Sequence, residues 1–117
     1  MSDIAINLIP LRPGIAQDTF TKFSTEIDQP ICLAQDAVLG FEAFAVVSRD
    51  PGAPSVDIVE VMEVTSWERW VQTRDRLEAM KPVTDGFEQL VEPTAVRTIF
   101  ARRVGPTSGQ GGVPRYD

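Results

Sequence analysis

The stretch Ile58-Val59-Glu60-Val61-Met62-Glu63-Val64 constrains this chain more than any other. It is short, β-branched and free of Gly and Pro, so it reads as a strand. Side chains alternate across a strand. Ile58, Glu60, Met62 and Val64 therefore share one face, and Asp57, Val59, Val61 and Glu63 share the other. Each face is mostly apolar and each carries a carboxylate. A strand with one wet face shows polar residues there. Neither face does so here, and the fold has to cover both. The run Val38 to Val47 repeats the pattern, with Phe41, Ala43, Ala45 and Val47 on one side and Glu42, Phe44 and Val46 on the other.

The order of elements around these strands narrows the choice. Ile4 to Ile9 forms a first strand, ended by Pro10, Pro13 and Gly14. Asp18 to Asp28 reads as a helix with Phe20, Phe23 and Ile27 along one face. Pro30 stops or kinks it, and Ile31 to Ala34 continues as a further turn. Asp50-Pro51-Gly52-Ala53-Pro54 is a turn signal. Thr65-Ser66-Trp67-Glu68 matches a capping box with Thr65 as N-cap. A helix is expected from Ser66 to Met80, interrupted at Lys81-Pro82, with a short segment through Phe87, Leu90 and Val91. Val96 to Val104 is the fourth strand. This βαββαβ order predicts a ferredoxin-like α+β sandwich, a four-stranded antiparallel sheet with helices on one face. Residues 1–104 form the single domain and 105–117, rich in Gly, Pro and Ser, a flexible tail. Helices cover one face of the sheet, and a second copy packed sheet to sheet is the expected cover for the other. A homodimer follows.

Composition removes whole classes of chemistry. The 117 residues contain no histidine and one cysteine, Cys32. That leaves no His-based triad, no His or cysteine-cluster metal site and no axial His for haem. The expectation is therefore no metal and no cofactor. A net charge of -6 without a basic run argues against nucleic acid. No leader and no apolar run near the ~20 residues of a membrane span are present, so a cytoplasmic protein with no membrane partner is expected. The tail segment Gly105 to Val113 lacks the lysine and following helix of a phosphate loop. Proton transfer falls to carboxylates, Cys32, Tyr116, Lys, Arg or water.

Glu60 and Glu42 stand mid-strand among apolar neighbours. Enclosure would raise their pKa values and suit them to acid–base work. Either could instead be structural, Glu42 through a pair with Arg49 or Arg97. Glu26, Asp28 and Cys32 cluster where the first helix breaks at Pro30, a natural pocket mouth. Asp28 is a third candidate catalytic carboxylate. Cys32 has no histidine to activate it and reads better as a small buried hydrophobe. Asn7, the polar residue inside the first strand, could hold a substrate carbonyl or N–H, or satisfy neighbouring backbone. Phe23, Phe41, Trp67 and Trp70 offer aromatic surface, as core or as walls for a planar ring. Arg74, four residues after Trp70, could sit over that ring or face solvent.

The segments "INLIPLRPG", "FSTEIDQP", "DIVEVMEVTSWERW" and "GFEQLVEPTAVRTIF" together resemble the RedY/HapK-like proteins of the dimeric α+β barrel superfamily, over roughly residues 4–103. The resemblance implies the same fold and dimer. It also implies a role in making pyrrole or indole pigments and alkaloids. Some of those relatives are described as cyclases of bisindole intermediates that need no bound cofactor. The resemblance brings no catalytic set, so the site residues above rest on pattern. Two further readings stand beside a cyclase: a non-catalytic holder of a reactive precursor and a cofactor-free aromatic monooxygenase. The substrate expected for any of them is a planar aromatic small molecule.

Overall fold

A computed structural model describes residues 2–105. The tail beyond them, with Tyr116, lies outside the described residues. The elements are β1 (Asp3–Ile9), α1 (Gln17–Phe23), a π-turn (Ser24–Asp28), α2 (Gln29–Leu33), β2 (Val38–Ala45), β3 (Ile58–Val64), α3 (Trp67–Arg76), a 3-10 turn (Glu78–Met80), α4 (Lys81–Leu90), a 3-10 turn (Pro93–Ala95) and β4 (Arg97–Ala101). The four strands form one antiparallel sheet in the order β2-β3-β1-β4. This is the ferredoxin-like arrangement, with β1 and β3 in the centre and both helical regions on one face. Among the described residues, no helix is long and apolar enough to cross a membrane.

The faces of β3 divide as its alternation predicts. Ile58, Glu60, Met62 and Val64 are buried beneath the helices, and Val59, Val61 and Glu63 lie on the open side. The core falls into two clusters. Ile9, Phe20, Phe23, Ile58 and Val91 form one. Cys32, Val38, Phe41, Met62, Val64, Trp70, Met80 and Val83 form the other. Between them runs one polar row across the sheet: register places Glu60 opposite Asn7 and Asn7 opposite Thr98.

Pro30 distorts the first helix rather than stopping it, the second of its two expected effects. The chain widens into the π-turn just before it and then continues as α2. The widening turns Ile27 outward and buries Asp28 instead. The N-cap of α3 is Ser66, not Thr65. Ser66 Oγ accepts from Arg69 N–H at 3.2 Å, and Asp3 on β1 accepts from Trp67 N–H at 3.0 Å. That bond is the main reason the Asp3 carboxyl is held below its usual range. Thr65 belongs to the incoming backbone, where its N–H donates to Ala37 C=O, and its hydroxyl is buried without a partner. The strand positions follow from this: Ser66 has extended dihedrals and can cap, whereas Thr65 is one residue too early. Leu77 breaks the predicted Ser66–Met80 helix by adopting an extended conformation.

The two helical layers meet at a glycine. A Cβ on Gly86 of α4 would stand 2.5 Å from Phe23 Cε1. Phe23 is buried and ends α1, so its ring has little room to retreat. Gly86→Ala is expected to destabilise the fold by ~1–3 kcal/mol through overpacking. Denaturant unfolding checks this; unchanged stability would mean that the ring moves freely.

Candidate functional site

The polar row lies at the floor of a cavity of about 420 Å³ between the sheet and the helices. That volume is within the range of small-molecule sites. Strand register builds the floor. Thr98 Oγ1 donates to Asn7 Oδ1 at 2.8 Å, and Asn7 Nδ2 donates to Glu60 Oε1 at 3.3 Å. The helix supplies the rest: Cys32 Sγ–H donates to Asp28 Oδ1 at 3.3 Å, and Asp28 and Glu60 are close enough to share a proton. A continuous chain, Thr98–Asn7–Glu60–Asp28–Cys32, thus joins β4 to α2.

The electrostatics of this chain are those of two carboxyls taken out of water together. Glu60 is only 4% exposed. Burial, and next the charge of Asp28, push its pKa up to about 8; the Asn7 amide works against this. Burial likewise raises Asp28, to about 6, while hydrogen bonds from Cys32 and Glu60 hold it down. Two carboxyls at this distance cannot both ionise cheaply. Near neutral pH the pair keeps one proton, held between the two carboxyls. Glu60 Oε2 accepts no hydrogen bond from any described donor. A proton on that oxygen supplies the missing bond by donating to Asp28. Burial and the neighbouring carboxylates raise the Cys32 thiol far out of the thiolate range, so it serves as a donor and not as a nucleophile.

The walls are apolar and aromatic. Phe41, Met62, Trp67 and Trp70 line one side, and Phe87 and Val96 the other. Arg74, which pairs with Asp75 at 2.9 Å and is partly exposed, also lines the cavity, as does Glu88. Of the residues singled out from sequence, Glu60, Asp28, Asn7, Phe41, Trp67, Trp70 and Arg74 all line this one cavity. Three do not. Glu42 is exposed on the opposite face of β2, opposite Val61, because its neighbour Phe41 takes the inward position. Phe23 is buried in the other core cluster. Glu26 is exposed on the outer side of the π-turn, because the residue that turns inward there is Asp28. Thr98 was not singled out. Its signal was available, since an inward threonine at the middle of β4 falls opposite Asn7 once the strand order is known. Phe87 and Val96 belong to segments whose facing only the packing of α4 decides.

A family model described as REDY-like protein HapK matches residues 3–104. The crystal structure of HapK from Hahella chejuensis superposes with a TM-score of 0.74 at 18% identity, covering 95% of this chain and 100% of that one. A dabb family protein with a ferredoxin-like fold from Mesorhizobium loti gives 0.64 at 16% identity, covering 89% and 98%. A dimeric ferredoxin-like protein of unknown function from Thermobifida fusca gives 0.64 at 11%, covering 86% and 90%. No curated protein matches the chain.

Proposed function

The chain belongs to the REDY-like HapK family, and from that premise we propose that it is a cofactor-independent enzyme closing a ring in an indole- or pyrrole-derived intermediate, such as a bisindole or a prodigiosin-like precursor. The observation that carries this reading is the buried, proton-sharing Asp28–Glu60 pair at the floor of an aromatic-walled cavity. Such a pair can both give and take a proton near neutral pH. Glu60 gives its proton to the heteroatom of an electrophilic C=N or C=O as a nucleophilic ring carbon attacks that carbon. One carbon–carbon bond forms, and the π bond to the heteroatom breaks. The pair then takes back the proton lost from the attacking carbon as its ring regains aromaticity. The step is an isomerisation in which no electrons are gained or lost. The flat walls hold the two rings in the reacting conformation, and closure of the site against water protects the intermediate.

A second copy of the chain completes the molecule in this proposal. Ile6, Leu8, Val59 and Val61 lie on the open face of the sheet, with Phe44 49% and Ile99 53% exposed beside them. An apolar face of this kind calls for a partner, and a ferredoxin-like protein of similar structure is dimeric.

The test is turnover of a bisindole or bipyrrole intermediate by the purified protein without added metal or cofactor. Catalytic product formation, independent of oxygen, is expected. Stoichiometric binding without product would make the protein a holder of the intermediate, and strict oxygen dependence would make it a monooxygenase.

A further inference from the structure

The helix that carries Asp28 is not regular, and its irregularity is what brings the carboxyl into the site. In an α-helix each residue turns by about 100°, so the row facing the sheet after Phe20 and Phe23 would continue through positions 27 and 31. The buried residues are instead Asp28 and Cys32, each one position later, and Ile27 is 37% exposed. A one-residue shift of the inward row is what a single wide turn produces. The backbone shows that turn directly: Gln29 N–H donates to Ser24 C=O, five residues back.

Three features account for it. Pro30 has no N–H to give to Glu26 C=O, and its ring would crowd that carbonyl in a regular helix. Ser24 is buried, and its hydroxyl accepts from Gln29 Nε2 at 2.9 Å, a clasp that spans the same five-residue interval as the backbone bond. Thr25 Oγ1 bonds back to Thr21 C=O at 2.9 Å, a contact that bends helices.

We infer that the π-turn, imposed by Pro30 and closed by the Ser24–Gln29 clasp, is the device that aims the Asp28 carboxyl at Glu60, and that Gln29 and Pro30 are positioning residues of the site. The inference rests on the reading of Asp28 and Glu60 as the working pair. Neither Gln29 nor Pro30 touches the cavity. Their effect on the reaction passes through the register they impose on Asp28 and, through its thiol bond, on Cys32.

The experiment follows the side-chain carboxyl resonances of Asp28 and Glu60 by carbon NMR across pH, in the wild-type chain and in a Gln29→Ala/Pro30→Ala double variant. Pro30 is exposed and Gln29 half-buried, so the variant keeps its core. Ile31→Val on the same helix is the control. In the wild type the two carboxyls are expected to titrate as one coupled pair, and likewise in the control. In the double variant the coupling is expected to collapse, with Asp28 moving to the ordinary carboxylate range and Glu60 shifting down by at least one unit. Gln29→Ala alone, which removes only the clasp, is expected to give an intermediate shift. A folded double variant that still titrates as a coupled pair would overturn the inference while leaving the proposed function in place. Independent titration in the wild type itself would overturn both.

Discussion

Glu60→Gln is expected to lower turnover by about 100-fold or more, the usual scale of a general acid–base group, while substrate affinity changes little. The amide keeps the shape of the side chain and its bond with Asn7, but it cannot pass a proton to Asp28 or to a substrate. Glu63→Gln is the matched control. Glu63 lies on the open face and pairs with Arg103 at 2.8 Å, away from the cavity. Its loss is expected to leave turnover unchanged. Steady-state kinetics of both variants check this, and equal rates for wild type and Glu60→Gln would remove Glu60 from the chemistry. The same substitution has a signature in stability. Asp28 and Glu60 hold their protons more tightly folded than unfolded, since both folded values are raised, to about 6 and about 8. Their stabilisation is complete below the unfolded values of about 4 and is lost as pH rises through the folded ones. The wild-type chain should therefore melt at a lower temperature at pH 9 than at pH 5. Glu60→Gln should flatten that slope and exceed the wild type in melting temperature at pH 9. The activity profile should be bell-shaped between the two macroscopic values, which belong to the pair and not to either residue.

Val61→Lys is expected to convert a dimer into a monomer. Val61 sits on the central strand β3, on the face away from the helices, opposite Ile6 and Glu42. In a single copy a lysine there reaches solvent, so the fold survives. Between two sheets its charge would be taken out of water, and the cross-strand Glu42 carboxylate repays only part of that desolvation, since burying an ion pair costs more than the pairing returns. Light scattering should give twice the 12.9 kDa chain mass for the wild type and the chain mass itself for the variant. A wild-type chain that remains monomeric at micromolar concentration would refute the sheet-to-sheet dimer. Retained secondary structure by circular dichroism separates dissociation from unfolding in the variant.

What was legible in the sequence was carried by strand alternation, which has a period of two and tolerates no slip. Glu60 could be assigned to the same face as Ile58, Met62 and Val64 from spacing alone, and Asn7 to the middle of a strand. The βαββαβ order supplied the sheet, and the absence of histidine directed attention to carboxylates. The helices were less legible, because propensity and capping signals compete with packing. The TSWE box suggested Thr65 as a cap one residue early, since both Thr65 and Ser66 are acceptable cap residues and only backbone conformation chooses between them. Period-3.6 counting placed Ile27 inward, and a turn widened by one residue before Pro30 put Asp28 there instead. Local periodicity reaches the fold class, the two apolar faces and the grouping of Glu60 with Ile58, Met62 and Val64. Only the packed molecule decides that this face lies under the helices, that Asp28 meets Glu60, that Glu42, Glu26 and Phe23 stay out, and that Thr98 joins. Those depend on helix register and cross-strand pairing between segments as many as 91 residues apart, which no local pattern encodes.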